Sequence, residues 1–377
     1  MSSLIRHLLL TAAYFVSATA LTASASAATA PTSTQPELAQ QAAELMSKAC
    51  QRDDFSGAVL IAKHEQVIFQ SACGEASKRY HVANNLDTRF NIASLGKMFT
   101  AVAIAQLAER GLIDYQAKVS TYLGDDWLNR ETAEKITVAD LLSHRSGLSE
   151  FLSEQRTRQN SREYYRELAD MKKFVQDKKT EFTPGSRYLY SNSNYHLLGA
   201  IIEQVSQENY FDYIRRHIYQ VADMQYSDSY ALDEPIENLA MGYLSTNPRK
   251  ESTFVGLLRG SAFGCGYSTV GDLLLFAQAL QQGKLLKPAS LTQMWQRHAP
   301  EGNPDELGYG YGFQLRQNAA GLAVGHSGGW PGFTAQFWHY RETGYTFILL
   351  SNYHDKLSLH WALDSLLNQP VSKPGQH

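Results

Sequence analysis

Strand patterns stand near both ends of this chain and helical patterns fill its middle, and no other feature of the sequence restricts the fold as much. Gly57-Ala58-Val59-Leu60-Ile61-Ala62 and Val67-Ile68-Phe69, split by Lys63-His64-Glu65-Gln66, read as a β-hairpin. Far downstream, residues 333–340 alternate and 345–350 are apolar, and a closing helix over 357–367 follows. Strands this distant can share one sheet only if the helices between them are set aside as a block. The expected fold class is therefore α+β, with the sheet part in 36–90 and 305–370 and a helical part, 91–300, inserted into it as one unit over 36–370. Thr34 and Glu37 form a capping box ahead of a helix over 36–48, whose Leu38, Ala42 and Leu45 share one face. No repeat or low-complexity run interrupts the chain.

The helical part opens on Phe90-Asn91-Ile92-Ala93-Ser94-Leu95-Gly96-Lys97-Met98-Phe99-Thr100. Phe99, Val102, Ala103 and Leu107 recur at helical spacing and Gly111 is a stop, so 94–110 reads as an apolar helix. Residues i and i+3 share a helix face, which sets the Lys97 amine beside the Ser94 hydroxyl. A serine hydroxyl needs a base to act as a nucleophile, and a lysine in apolar surroundings loses its charge and becomes one. The first-turn N–H groups lack helical partners, so the one at Ser94 is available to an oxyanion. A capping serine beside a solvated lysine is the plain alternative, although no other serine in the chain has lysine at i+3. Further helices are expected over 136–142, capped by Thr137, and over 194–207, 210–219 and 269–280. The segment 150–181 is dense in charge of both signs, among them Arg162, Glu163, Arg166, Glu167, Lys172 and Lys173, and reads as a solvated helical face.

Composition excludes some classes and sets the compartment. A hydrophobic content of 44% over 377 residues is ample for a large core, and a net charge of −3 offers no electrostatic attraction to nucleic acid. Arg6 and His7 precede an apolar run over 8–21 and small residues through Ala23-Ser24-Ala25-Ser26-Ala27, the pattern of a secretory signal peptide over 1–27, cut after Ala25 or Ala27. The run is too short for a lasting membrane anchor, so the mature chain is expected to be soluble and periplasmic or secreted. Export permits disulfides. Cys50 ends the first helix and Cys73 follows the hairpin, so the pair is either bridged or two buried thiols, with Cys265 left over.

Three other stretches carry chemistry. Tyr190-Ser191-Asn192 lies between a Pro184-Gly185 turn and a helix, so a phenol and an amide project from a short loop; packing and capping are its other reading. Gly325-His326-Ser327-Gly328-Gly329 is glycine-rich at a strand edge, where a substrate can approach backbone closely. It also fits the Gly-x-Ser-x-Gly elbow, but Trp330-Pro331-Gly332 and another strand follow where that motif requires a helix. His64-Glu65 has no second histidine at zinc-protease spacing, and no metal site is indicated.

Together Ser94/Lys97, Tyr190/Asn192 and His326-Ser327-Gly328 resemble the three motifs of serine β-lactamases and penicillin-binding proteins, most closely the class C β-lactamase-like family. The segments 141–148, 267–273 and the strand ending Ser351-Asn352 share the resemblance. It implies an antiparallel sheet flanked by terminal helices, an all-helical domain beside it, and an active site between them. It also implies that Ser94 is acylated, that Lys97 and Tyr190 move protons, and that Ser94 and Gly329 supply the oxyanion N–H groups. Asn192, His326, Ser327, Gly328 and Trp330 would bind substrate, without metal or organic cofactor. The implied partner is a small-molecule or peptide substrate, cell-wall fragments included. His326 stands where β-lactamases of this family usually carry lysine, which favours esters or peptide-like amides over β-lactams. A true β-lactamase and an inactive binding protein of the same fold are the competing expectations.

Overall fold

Strand β1 (Gly57–Lys63) is buried along nearly its whole length because it lies at the centre of a sheet covered on both faces. Ala58, Leu60 and Ala62 face one core while Val59 and Ile61 face another, which is why its apolar run is continuous rather than alternating. The computed structural model describes residues 34–152, 165–252, 257–298, 308–318, 320–354 and 358–367. The expected signal segment, 1–27, lies outside them.

β1 is followed by β2 (Gln66–Cys73), the small pair β3 (Glu75–Ser77) and β4 (Val82–Ala83), and β5 (Phe90–Asn91), which pairs with β6 (Tyr267–Ser268). The C-terminal strands are β7 (Gly308–Tyr309), β8 (Gln314–Asn318), β9 (Gly321–Trp330), β10 (Phe333–Tyr340) and β11 (Tyr345–Ser351). The main sheet is antiparallel throughout, in the order β2-β1-β11-β10-β9-β8-β7, and β1 pairs with β11 across Gly57↔Ser351 to Lys63↔Tyr345. The two ends of the chain thus meet at the middle of the sheet.

One face carries α1 (Thr34–Gln51) and the closing helix, joined through Leu38, Ala42, Met46, Trp338, Leu349 and Leu363. Cys50 at the end of α1 is disulfide-bonded to Cys73 at the end of β2, and Cys265 is a buried free thiol. The other face carries α2 (Gly96–Glu109), α3 (Arg130–Ala133), α4 (Val138–Leu142), α5 (Asn192–Ser206), α6 (Tyr210–Ile214), α7 (Val270–Gln281) and α8 (Pro288–Met294); the closing helix is α9 (Ser358–Leu367). α2 is buried almost all round, from Met98 and Phe99 to Ile104 and Leu107. Thr137 and Asp140 cap α4 reciprocally, backbone to side chain in both directions.

Two expectations do not survive. Helix does not fill 91–300: the described part of 226–266 holds turns and isolated bridges, as its Pro235 and Asn247-Pro248 would favour. Nor is 150–181 a solvated helical face in its described part. A 3-10 turn, Leu168–Phe174, buries Leu168, Met171 and Phe174; Arg162 and Glu163 lie outside the described residues. Among the described residues no helix is long and apolar enough to cross a membrane.

Candidate active site

Ser94 sits in a 3-10 turn, Ala93–Leu95, that feeds directly into α2, one step ahead of the α-helix itself. The turn is closed by Leu95 N–H to Ile92 O and Gly96 N–H to Ala93 O, so the Ser94 N–H takes no part in it. Ala93 adopts a left-handed φ of 46°, unusual for a residue with a Cβ, and the turn is held from outside. Asn91 Oδ1 accepts from the Ala93 N–H at 2.9 Å and the Cys265 N–H donates to Ala93 O at 3.0 Å. Gly264, at φ 137°, must lack a side chain, because a Cβ there would meet Ala93 O at 2.2 Å.

One turn on, Lys97 is fully buried. Its Nζ lies 3.2 Å from Ser94 Oγ, 2.7 Å from Asn192 Oδ1 and 2.6 Å from Phe263 O. Burial pulls its pKa down to about 7, with the Glu150 carboxylate opposing that shift. A neutral amine has two N–H donors and one lone pair. Asn192 Oδ1 and Phe263 O are acceptors on the two shortest contacts, so the lone pair is left for Ser94.

The phenol of Tyr190 donates to Ser94 Oγ at 2.9 Å, and Lys97 Nζ lies 4.9 Å from the centre of its ring. Burial raises its pKa far above the usual phenol value, so it remains a proton donor. The segment around His144 cradles it: the imidazole stacks on Tyr190 at 4.2 Å between centroids, and His144 Nδ1 accepts from Ser191 N–H at 3.2 Å and Asn194 Nδ2 at 3.1 Å. Asn192 opens α5, where Ser191 is the N-cap. Its amide is fixed by Glu150, whose Oε2 accepts from Asn192 N–H at 2.8 Å and from Asn192 Nδ2 at 2.9 Å. Glu150 Oε1 is held in turn by Leu152 N–H at 2.8 Å.

The third motif lies in the second half of β9, and Gly328 presses on the serine turn, where a Cβ would meet Ile92 O at 2.7 Å. β8 pairs with β9 only as far as Gly325, so the edge of β9 beyond it is free. The Ser327 N–H points to that edge, donating to Gln314 Oε1 at 2.8 Å, and by the two-residue period of a strand the Gly329 N–H points the same way. No helix follows Ser327, and its Oγ donates to Gln314 Oε1 at 3.0 Å, which disposes of the nucleophile elbow. His326 is buried, with its pKa pulled down to about 3 by burial and by the nearby Lys97 charge. His326 Nδ1 lies 2.6 Å from Ser327 O and must carry the proton, so Nε2 accepts from the Tyr309 hydroxyl at 3.0 Å. Trp330 closes β9 and lines a cavity of about 110 Å³ with Asn91, Met241, Tyr267 and Phe333.

A nucleophile between a neutral amine and a phenol, at the junction of a helical layer and an antiparallel sheet, is now defined, and the relatives agree with it. Residues 39–362 match the model of the Beta-lactamase family. The chain belongs to the Beta-lactamase family. Penicillin-binding protein 4* of Bacillus subtilis (strain 168) is 29% identical over 343 residues, 87% of this chain and 73% of that protein. A penicillin-binding protein from Bacillus halodurans superposes with a TM-score of 0.78 at 26% identity, covering 86% of this chain and 98% of that one. A D-stereospecific amidohydrolase from Streptomyces sp. does so with a TM-score of 0.70 at 26% identity, covering 87% and 98%. This member of the Beta-lactamase family is a serine hydrolase.

Two contributors to the site carry no sequence motif. Glu150 stands inside the charged stretch, and Phe263 acts through its carbonyl. Gly264-Cys265-Gly266 is the one available signal for the second, since paired glycines mark close approach of backbone. Among the described residues there is no cluster of three or more His, Cys, Asp or Glu able to hold a metal ion.

Proposed function

We propose that this protein is an exported hydrolase that transfers the acyl group of an ester or peptide-like amide to Ser94 and then to water. The observation that carries the reading is the placement of Ser94 Oγ between Lys97 Nζ and the Tyr190 hydroxyl. Neutral Lys97 takes the Ser94 proton as Oγ attacks the acyl carbon. The oxyanion is met by the N–H groups of Ser94 and Gly329. Tyr190 gives its proton to the departing oxygen or nitrogen and is reprotonated from Lys97, and a water then repeats the attack on the acyl-serine. Asn192 holds Lys97, and Glu150 holds Asn192. Export rests on the N-terminal composition.

The substrate class rests on His326. A β-lactam carries a carboxylate, which a permanent cation at the third motif would bind; here the imidazole is neutral and both of its nitrogens are engaged within the protein. Esters and amides without that carboxylate lose nothing. The likeness to a D-stereospecific amidohydrolase keeps amides of D-amino acids among the candidates beside esters. The test is kcat/KM of the purified protein on a nitrophenyl acetate ester, a D-amino-acid amide and a cephalosporin, beside Ser94→Ala. Turnover of the ester or amide that vanishes in Ser94→Ala supports the proposal; a cephalosporin as the best substrate, or wild-type turnover without Ser94, overturns it.

A further inference from the structure

The Ser94 cleft does not end at the nucleophile. Tyr188, Tyr190, Tyr309 and His326 line the near end of a groove of about 780 Å³, and the groove turns round the free edge of β9 to the opposite face of the sheet. There it is lined by Ser327, Gln314, Gln336, Arg316, Trp338, His360 and Trp361. Tyr190, which protonates the departing atom in the mechanism proposed above, lines this groove together with His326 of the third motif. The groove is therefore on the leaving-group side of the scissile bond.

Its far end is built from aromatic faces and oriented amides. Trp361 on α9 is 60% exposed, although the indole is among the side chains most costly to leave in water. The Arg316 guanidinium stacks on Trp338 at 3.7 Å and faces Trp361 at 5.8 Å, and its charge is met by Asp364 at 2.9 Å. Gln314 Oε1 is taken by the Ser327 N–H and hydroxyl, and Gln336 Oε1 by Trp338 Nε1 at 2.9 Å. With both oxygens engaged, each amide is left with its NH2 free among the described residues, on side chains that line the groove. An indole with His360 packed at 4.3 Å and the rest of its surface exposed, beside two fixed neutral donors and a neutralised cation, suits a ring with an apolar face and a rim of oxygen acceptors. An anion would find no unpaired cation in Arg316 or His326, and an alkyl chain would leave the amides unmatched.

We infer that this groove is a subsite for a neutral sugar, so that the leaving group is a sugar hydroxyl and the substrate an acyl ester of it. The inference rests on the hydrolase reading above and names its leaving group. In the reaction the bond from acyl carbon to sugar oxygen breaks, Ser94 Oγ takes the acyl group, and the sugar oxygen takes the Tyr190 proton.

The test has a binding arm and a turnover arm, run on the full chain and on Trp361→Ala and Trp361→Phe; the exposed position of Trp361 leaves the core of these variants untouched. In the binding arm, methyl β-glucoside is titrated into Ser94→Ala and the heat of binding, or failing that the quenching of tryptophan fluorescence in Ser94→Ala alone, is followed. Saturable binding heat that disappears when Trp361→Ala is added and persists with Trp361→Phe is expected. Its absence in Ser94→Ala overturns the subsite whatever the protein hydrolyses. In the turnover arm, kcat/KM is compared for the 6-O-acetyl ester of methyl β-glucoside and for ethyl acetate. The expected result is a preference for the sugar ester that Trp361→Ala reduces about tenfold, with ethyl acetate changed less than twofold. Equal loss on both esters, or none on either, overturns the assignment. Failure to hydrolyse the sugar ester, with binding intact, overturns the sugar hydroxyl as leaving group; the hydrolase reading falls separately, if no ester or amide is turned over by wild type more than by Ser94→Ala.

Discussion

Replacing Glu150 by Gln should move the pH dependence of the reaction without removing any group that touches substrate. Lys97 is faced by Ser94, Asn192 and the Phe263 carbonyl, by the rings of Tyr190 and Tyr195, and by Cys265, His144 and His326; Glu150 is the carboxylate among the groups acting on it. The base must be neutral, and its pKa is about 7, so kcat/KM rises as pH increases through about 7 and levels above it. Glu150 stabilises the charged amine and so holds this limb up. The two charges face each other across the Asn192 amide, which contacts Lys97 at 2.7 Å and Glu150 at 2.9 Å, and at an effective dielectric of about 20 charges bridged in this way interact by roughly 2 kcal/mol. Solvent reaches Glu150, which reduces the effect to about one pH unit. Glu150→Gln should therefore shift the limb down by about one unit while the plateau changes little, because a glutamine oxygen can still accept from Asn192. Glu150→Ala should shift the limb and also lower the plateau about ten- to a hundredfold, the worth of a charged hydrogen bond holding the amide. Initial rates of nitrophenyl acetate hydrolysis between pH 5 and 9 decide it. A limb at the wild-type pH in Glu150→Gln would refute the link from Glu150 to Lys97.

His326→Lys should raise kcat/KM on a cephalosporin relative to a short ester by about five- to thirtyfold, the value of exchanging a neutral contact for a charged one; no gain on the cephalosporin would remove the substrate argument. Gly328→Ala should push the serine turn away from β9, costing about 1 to 3 kcal/mol in urea unfolding and most of the activity, since the added Cβ meets Ile92 O at 2.7 Å. Cys50→Ser should lower stability by about 3 kcal/mol, the loop-entropy value for a closure at a sequence separation of 23. An unchanged urea midpoint would show that the bridge does not contribute.

The central strands are legible in the sequence because two-sided burial writes an unbroken apolar run, as in Val59-Leu60-Ile61 and Phe347-Ile348-Leu349-Leu350. β8 is not, because Gln314–Asn318 buries only Leu315 and the rest of it is polar. Ser94 and Lys97 are legible as a pair because helix geometry sets them on one face from local spacing alone. Tyr190 and Asn192 need the His144 segment to aim them, and that contact spans 47 residues, from His144 to Ser191. Glu150 is hidden twice over: it lies among other charges, and its partner Asn192 is 42 residues away. The Phe263 carbonyl leaves no side-chain trace.

The acyl-enzyme itself is the most direct test. The purified chain is treated at pH 8 with a fluorophosphonate, digested, and mapped by mass spectrometry, with Ser94→Ala and Lys97→Ala treated alongside. The account predicts one adduct, on the peptide carrying Ser94, absent from Ser94→Ala and slowed by several orders of magnitude in Lys97→Ala. A folded wild-type protein that stays unlabelled, or carries its adduct on Ser327 or any residue other than Ser94, would contradict it.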